Sequence, residues 1–418
     1  MFILLGRSLT AIVLAVAALA CAQPTMAAQP NQFAPSYDFL VARLDEMPSA
    51  MEAAALSDAA DARARQARAI PNPSVAWEME NIYGSGPYKG VGNADITASI
   101  SQPLELFGQR SARIGAARAQ ANAIGLRSEQ LRWLAAGRLA RVYAEAEAAG
   151  RRYDLAAEAL SLTEEDTRAV GLLVKEGREA TLRGVQAESE AEAARATRDE
   201  ARAIRDAAFA RLSAIAMLDA PVSAIQDSIL DRAPDAPIVH TNVPLAVQIA
   251  RAELDAADRQ ITVEQRRARP DLSATVGMRR FRGTGDDALT VGLSLSIPLF
   301  DRNRGGISAA YADRRAAEAR LATQQQEARA DRLGAEATLM ASNTRTRAAD
   351  SGVQSAEEAY RLARLGFDAG RISQLELRST RAALVAARNA AVDARIARVL
   401  AEIALAGLEG RAPFGETR

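Results

Sequence analysis

The stretch Leu293 to Gly306 reads LSLSIPLFDRNRGG. Leu293, Leu295 and Ile297 alternate with Ser294 and Ser296, the period of two that gives a strand one apolar and one polar face. At Pro298 the alternation stops, because proline has no N–H to give a strand ladder. Phe300, then charge, then Gly305 and Gly306 follow, and from Asn303 to Gly366 the chain runs without proline in Ala, Arg, Glu and Leu. The stretch is therefore the exit of a strand into a very long helix.

It occurs twice. Ser101 to Ala117, SQPLELFGQRSARIGAA, aligns with Ser296 to Ala310, SIPLFDRNRGGISAA, once two residues are gapped, placing Pro103 on Pro298, Phe107 on Phe300 and Ile114 on Ile307. Downstream, LLVKEGREATL from Leu172 resembles LGFDAGRISQL from Leu365, with Gly177-Arg178 on Gly370-Arg371. Phe107 to Gly177 and Phe300 to Gly370 are the same interval, 70 residues. Equal spacing over such a length argues for duplication of one unit. The expected organisation is a signal segment at 1–28, a first repeat at 29–218, a proline-rich linker at 219–244, a second repeat at 245–410 and a short tail at 411–418. Each repeat is one helix, a β-hairpin (about 73–102 and 271–298) and a long helical hairpin (about 109–216 and 303–408).

All four strands alternate. Val75, Trp77 and Met79 oppose Ser74, Ala76, Glu78 and Glu80; Ile96, Ala98 and Ile100 oppose Asp95, Thr97, Ser99 and Ser101. Leu272, Ala274, Val276 and Met278 oppose Ser273, Thr275 and Arg279, and Leu289 to Ile297 repeats the pattern. Tyr83, Tyr88 and Phe281 lie by the Gly-rich hairpin loops, Phe107 and Phe300 by the opposite ends, as in the two aromatic girdles of a membrane barrel. The soluble alternative is two hairpins packed on a core. Four strands cannot close a barrel, and open edges in lipid leave backbone groups unpaired. Completion by other copies is expected, and three copies give twelve strands. Runs of about 60 helical residues span roughly 90 Å, longer than a compact domain.

Bulk composition narrows the function. The 418 residues carry no net charge, 49% are hydrophobic and only 4% aromatic, which suits long Ala-rich helices and offers no basic surface for nucleic acid. Arg7 followed by an apolar run from Leu9 to Ala20 and small residues to Ala28 reads as an export signal, too short to span a bilayer. Cys21, the single cysteine, sits in ALAC, a lipoprotein-like processing site with Ala18 where leucine is usual; the alternative is cleavage near Ala27 or Ala28. The single histidine, His240, falls in the linker. Without CxxC, HExxH, GxSxG or Walker-type motifs, no enzyme activity, cofactor or protein-held metal is expected.

In the order and spacing of these features nearly the whole chain resembles the TolC-like outer membrane efflux proteins. SQPLELFG, SIPLFDRNRGG, KEGR and DAGRISQLEL carry the likeness, and NPSVAWEMEN with RPDLSATVGMRRFRGTGDDALTVGLSLSIPLFDRNRGGI is similar to the cobalt-zinc-cadmium branch that serves heavy-metal resistance-nodulation-division pumps. The resemblance implies a mixed α/β fold, a homotrimer with a twelve-stranded barrel in outer-membrane lipid continuous with a periplasmic α-helical barrel. Its partners would be a periplasmic adaptor and an inner-membrane pump, and it would be a passive conduit for divalent heavy metals or, alternatively, for drugs or secreted proteins. A periplasmic adaptor or a coiled-coil rod is the rival reading, and neither predicts the repeat. The resemblance further implies aperture acids near the second glycine turn: the first falls on Glu376, with Asp368 beside it, but the second falls on Ser379. It also makes Gly177, Arg178, Gly370 and Arg371 the docking tips, Asp219 to Pro244 an equatorial belt, and Pro103, Phe107, Pro298, Phe300, Gly305 and Gly306 the junction of the two barrels; Asn303, by residue type and place, is the candidate helix cap there.

Overall fold

The computed structural model describes residues 33–233 and 243–414. The expectations for the signal segment, Cys21 and His240 fall outside the described residues. In chain order the elements are β1 (Phe33–Ala34), α1 (Tyr37–Ala42), α2 (Pro48–Gln66), β2 (Ser74–Glu80), β3 (Asp95–Leu104), α3 (Gln109–Lys175), α4 (Thr181–Ile215), β4 (Ala224–Ile225), α5 (Leu245–Arg267), β5 (Asp271–Phe281), β6 (Asp287–Ser296), α6 (Arg304–Asp368) and α7 (Gln374–Glu409).

Two helices set the scale. α3 has 67 residues and α6 has 65, about 100 Å each at 1.5 Å per residue. Neither contains proline, and alanine, the strongest helix former, dominates both. The shorter helices fill in beside them: α2 and α4 pack along α3, while α5 and α7 each pack between α3 and α6. Near the sheet the layer is α2-α3-α5-α6, and at the far end it is α4-α3-α7-α6. Small side chains allow the close approach: Ala136, Ala140, Ala144, Ala148 and Ala394 are buried, and Gly137 and Gly150 lie against Ile403 and Phe209.

The sheet has the order β2-β3-β5-β6, antiparallel throughout. The two hairpins are thus joined through β3 and β5, which leaves β2 and β6 as open edges. Register places Val75, Ile100, Val276 and Val291 in one row across one face and Ser74, Ser101, Thr275 and Gly292 in a row across the other. The apolar rows have no cover. Trp77, Leu289, Val291 and Leu293 are all about three-quarters exposed, and exposing an apolar side chain to water instead of burying it costs about 1.5–3 kcal/mol. An apolar solvent, not a protein core, is what this face fits.

Among the described residues the large core lies midway down the helices. Tyr37, Leu40 and Leu44 from the N-terminal segment, Leu139, Val142 and Tyr143 of α3, Leu212 of α4, Ile229 and Leu230 of the linker and Val399 of α7 form it. β1 pairs in parallel with β4, and the Tyr37 ring meets Tyr143 and Phe414 edge-on at 6.0 and 5.8 Å. This belt gathers the start of the described chain, the linker and the C-terminal segment on one level.

Candidate conduit, junction and periplasmic tips

The polar face of the sheet is a wall of short hydroxyls. Ser99, Ser101, Thr275, Thr290 and Ser294 share it with Ala76 and Gly277, and Thr275 Oγ1 donates to Ser101 Oγ at 3.0 Å. Charge sits at its two ends: at the loop end Arg279 bridges Glu80 at 2.7 Å and Asp95 at 2.8 Å, and at the junction end stands Asp271, paired by register with Ser296. A wall of this kind hydrates a solute without offering strong ligands.

At the junction the structure departs from expectation in its details. Pro103 does not end β3; it pairs by register with Ser273. Pairing with β2 stops at Ser101, so β3 is locally an edge strand, where a residue without N–H is tolerated. Pro298 does lie beyond the last paired residue of β6, Ser296. Phe300 is fully exposed and Phe107 partly so. The bends into the helices are made by left-handed residues, Gly108 (φ 85°) and Asn303 (φ 51°), not by Gly305 and Gly306, which are already in the first turn of α6. Asn303 occupies the cap position without a side-chain cap bond; its Nδ2 instead donates to the backbone oxygen of Glu264 at 3.0 Å and to its carboxylate at 2.7 Å. Gly306 is required by that bridge, since a Cβ there would collide with Asn303 Oδ1 and Glu264 Oε2. The asparagine and the Arg267 guanidinium hold the Glu264 carboxyl below its usual range.

The far ends of both helical hairpins turn identically. At the first, Arg178 N–H donates to Leu173 O at 2.8 Å and Gly177 (φ 69°) to Val174 O; at the second, Arg371 N–H donates to Gly366 O at 2.8 Å and Gly370 (φ 68°) to Phe367 O. This is the six-to-one and five-to-two pattern that ends a helix on a left-handed glycine. Arg178 is exposed, 3.6 Å from Glu176. Ser373 then starts α7, its Oγ accepting from Glu376 N–H at 3.3 Å. Glu376 stands exposed in the first turn, where a carboxylate also suits the helix dipole. Asp368, exposed at the last position of α6, suits it poorly. The two acids lie on opposite limbs of one turn. Arg378, two positions after Glu376, is committed elsewhere: it pairs with Glu190 of α4.

A seam that no motif announced runs up from this turn. Arg381 donates to Asp166 of α3 at 2.5 Å; Arg388 donates to Glu158 of α3 and Glu357 of α6; Arg395 donates to Asp350 of α6. The three arginines are spaced by seven, which puts them on one stripe of α7, and that spacing was the available signal. Above it a buried clamp holds the linker. Glu147 of α3 accepts from Ser228 Oγ and from the N–H groups of Ile229 and Leu230, while Arg398 of α7 donates to Leu230 O at 2.9 Å. Arg151 joins Glu147 to Asp231, and its hydrogen bond holds the Asp231 carboxyl below the usual range.

The outer membrane efflux protein family matches residues 41–216 and 245–411. This chain belongs to that family. It is 40% identical, over 92% of its own length and 89% of the relative's, to the nickel-cobalt-cadmium resistance protein NccC of Alcaligenes xylosoxydans xylosoxydans. It is 28% identical to the cobalt-zinc-cadmium resistance protein CzcC of Cupriavidus metallidurans over 79% of each chain. Among solved structures, CusC superposes with a TM-score of 0.75 at 18% identity, covering 91% of this chain and 96% of that one. The outer membrane protein VceC of Vibrio cholerae does so with 0.72 at 20%, covering 90% and 96%. The efflux-channel fold explains both the uncovered apolar face and the 100 Å helices: this family member is an outer-membrane channel that extends into the periplasm. Its family consists of channel components.

Proposed function

We propose that three copies of this chain form a passive efflux duct for divalent heavy-metal cations such as nickel, cobalt, cadmium and zinc. The duct would receive them from a resistance-nodulation-division pump of the inner membrane through a periplasmic adaptor. The observation that carries the cargo is the 40% identity to a nickel-cobalt-cadmium resistance protein over nearly the full length of both chains. The sheet supports assembly with other copies: its four strands end in two open edges, β2 and β6, and edges are not stable in lipid. Joining β6 of one copy to β2 of the next in a ring of three closes twelve strands, within the known range of such barrels. The same operation sets α6 of one copy beside α2 and α4 of the next.

Glu376 and Asp368 would bring six carboxylates toward the axis at the periplasmic end, drawing cations to the entrance. Gly177, Arg178, Gly370 and Arg371 would present the two tips to the adaptor. The hydroxyl wall lets cations leave. The test is a deletion strain challenged with nickel, cobalt, cadmium, zinc, copper and a set of drugs: sensitivity to the divalent metals alone is expected, and sensitivity to drugs alone would overturn the cargo. In planar bilayers, Glu376→Gln is expected to weaken block by added divalent cations. Unchanged block and conductance would leave Glu376 as a surface carboxylate in the first turn of α7.

A further inference from the structure

Directly below the barrel, where α2 and α5 end and α3 and α6 begin, residues 61–70, 105–118, 264–271 and 301–304 hold eleven arginines against five carboxylates. The whole chain is neutral, so this is a strong local excess. Part of it has structural work: Arg110 and Arg113 donate to the carbonyls of Arg68, Ala67 and Ala69 beyond the end of α2, Arg113 also pairs with Glu105, and Arg267 pairs with Glu264. Arg68, Arg269, Arg302 and Arg304 have none. All four are exposed in the single chain, and none makes a side-chain hydrogen bond or ion pair among its described residues.

Helix dipoles account for only two of them. Arg68 and Arg269 stand just past the C-termini of α2 and α5, where a cation is favoured, whereas Arg304 is the first residue of α6 and Arg302 precedes it, at the end where a cation is not. The acids at this end, Asp301 and Glu264, are engaged by Asn303 and pair with neither arginine.

Their height supplies the anion. On the barrel side, within a few residues, lie Ile70, Leu106, Leu299 and Phe300, all largely exposed, which marks the edge of the hydrocarbon. The polar headgroup layer begins there and is about 5–7 Å deep on each side of the bilayer. Arginine side chains at this level keep their stems against apolar surface and their guanidinium groups in that layer. A planar guanidinium matches a phosphodiester with two parallel N–H donors.

We infer that Arg68, Arg269, Arg302 and Arg304 form an arginine collar that binds the phosphodiester headgroups of anionic phospholipid, of the phosphatidylglycerol type, in the periplasmic leaflet of the outer membrane. The inference rests on the outer-membrane placement of the barrel. The collar would fix the depth of the barrel against axial pull from the periplasmic partner and resist tilting of the helices where they enter water.

The test uses the full-length mature protein in vesicles of dioleoylphosphatidylcholine, with and without one fifth dioleoylphosphatidylglycerol. The trimer dissociation temperature is read on gels, and co-purifying lipid is read by native mass spectrometry. The expected result is a higher dissociation temperature and retained phosphatidylglycerol for the wild type, with both gains reversed by high salt. In Arg302→Gln/Arg304→Gln most of the gain is lost, while the behaviour in pure phosphatidylcholine is unchanged. Arg302→Lys/Arg304→Lys, which keeps the charge, retains an intermediate gain. Equal lipid dependence in wild type and the Gln variant would overturn the collar, as would a full effect from inorganic phosphate alone. So would a Gln variant that alters only ion selectivity, because its arginines would then face the bore. A wild type that forms no trimer in either vesicle would instead overturn the barrel assembly itself.

Discussion

Arg388 of α7 donates to both carboxylate oxygens of Glu158 of α3, at 3.0 and 2.9 Å, across 230 positions of sequence. The same guanidinium reaches Glu357 of α6 at 3.0 Å, so one side chain ties both long helices to α7. Glu158 is half exposed, and exposed pairs are worth only about 0.2–1 kcal/mol each. A seam of such pairs holds α7 in register without locking it.

A double-mutant cycle measures that directly. Glu158→Gln and Arg388→Gln should each lower stability slightly, with a coupling of about 0.3–1 kcal/mol in denaturant unfolding. A coupling near zero would mean that packing alone positions α7.

The equatorial clamp should behave differently, because Glu147 and Arg398 are both more than nine-tenths buried. Glu147→Ala strands the N–H groups of Ile229 and Leu230 and leaves Arg151 with one acid fewer, a loss of roughly 3–5 kcal/mol for breaking a buried charged network. Hydrogen exchange should show residues 228–231 opening, while the β-sheet amides stay protected.

Acid should loosen the same region. The Arg151 hydrogen bond depresses the Asp231 carboxyl from its ordinary value of 3.8, so the folded state binds that proton less readily than the unfolded chain. The resulting stability is fully present above the ordinary value and disappears as pH falls through the lower folded value. The difference in melting temperature between wild type and Asp231→Asn should be constant from neutral pH to about pH 5 and shrink below pH 4.

The two faces of β6 give a paired test. Leu293→Arg places a charge on the lipid face and should cost about 2–4 kcal/mol near the bilayer midplane, read by folding into vesicles. Thr290→Arg, one residue over in parity and on the hydroxyl wall, should leave folding intact and reduce single-channel conductance.

The strands were legible because lipid and water impose opposite demands on alternate residues, and that demand is local: Leu293 and Ser294 declare their faces without any knowledge of their neighbours. The glycine turns at Gly177 and Gly370 were legible for a similar reason, since a left-handed helix stop needs a residue without Cβ. The junction was misjudged in its mechanism. Gly305 and Gly306 invite the reading of a flexible bend, but the positive φ lies at Asn303, and Gly306 is small because Asn303 and Glu264 fill the space beside it. Nothing local to Gly306 records Glu264, which is 42 positions away.

The sequence by itself determined the duplicated unit, the four amphipathic strands, the two long helices and the family. Periodicity and spacing carry these, because each follows from what one residue must face. Only the tertiary structure decided that β3 joins β5 and leaves β2 and β6 open, that α7 is laced to α3 and α6 by an arginine stripe, and that Glu147 and Arg398 close on Leu230 from opposite repeats. Ion pairs and buried clamps depend on which charges meet across hundreds of residues, and in a chain with 52 basic and 52 acidic side chains only the packing of the helices selects among the pairings.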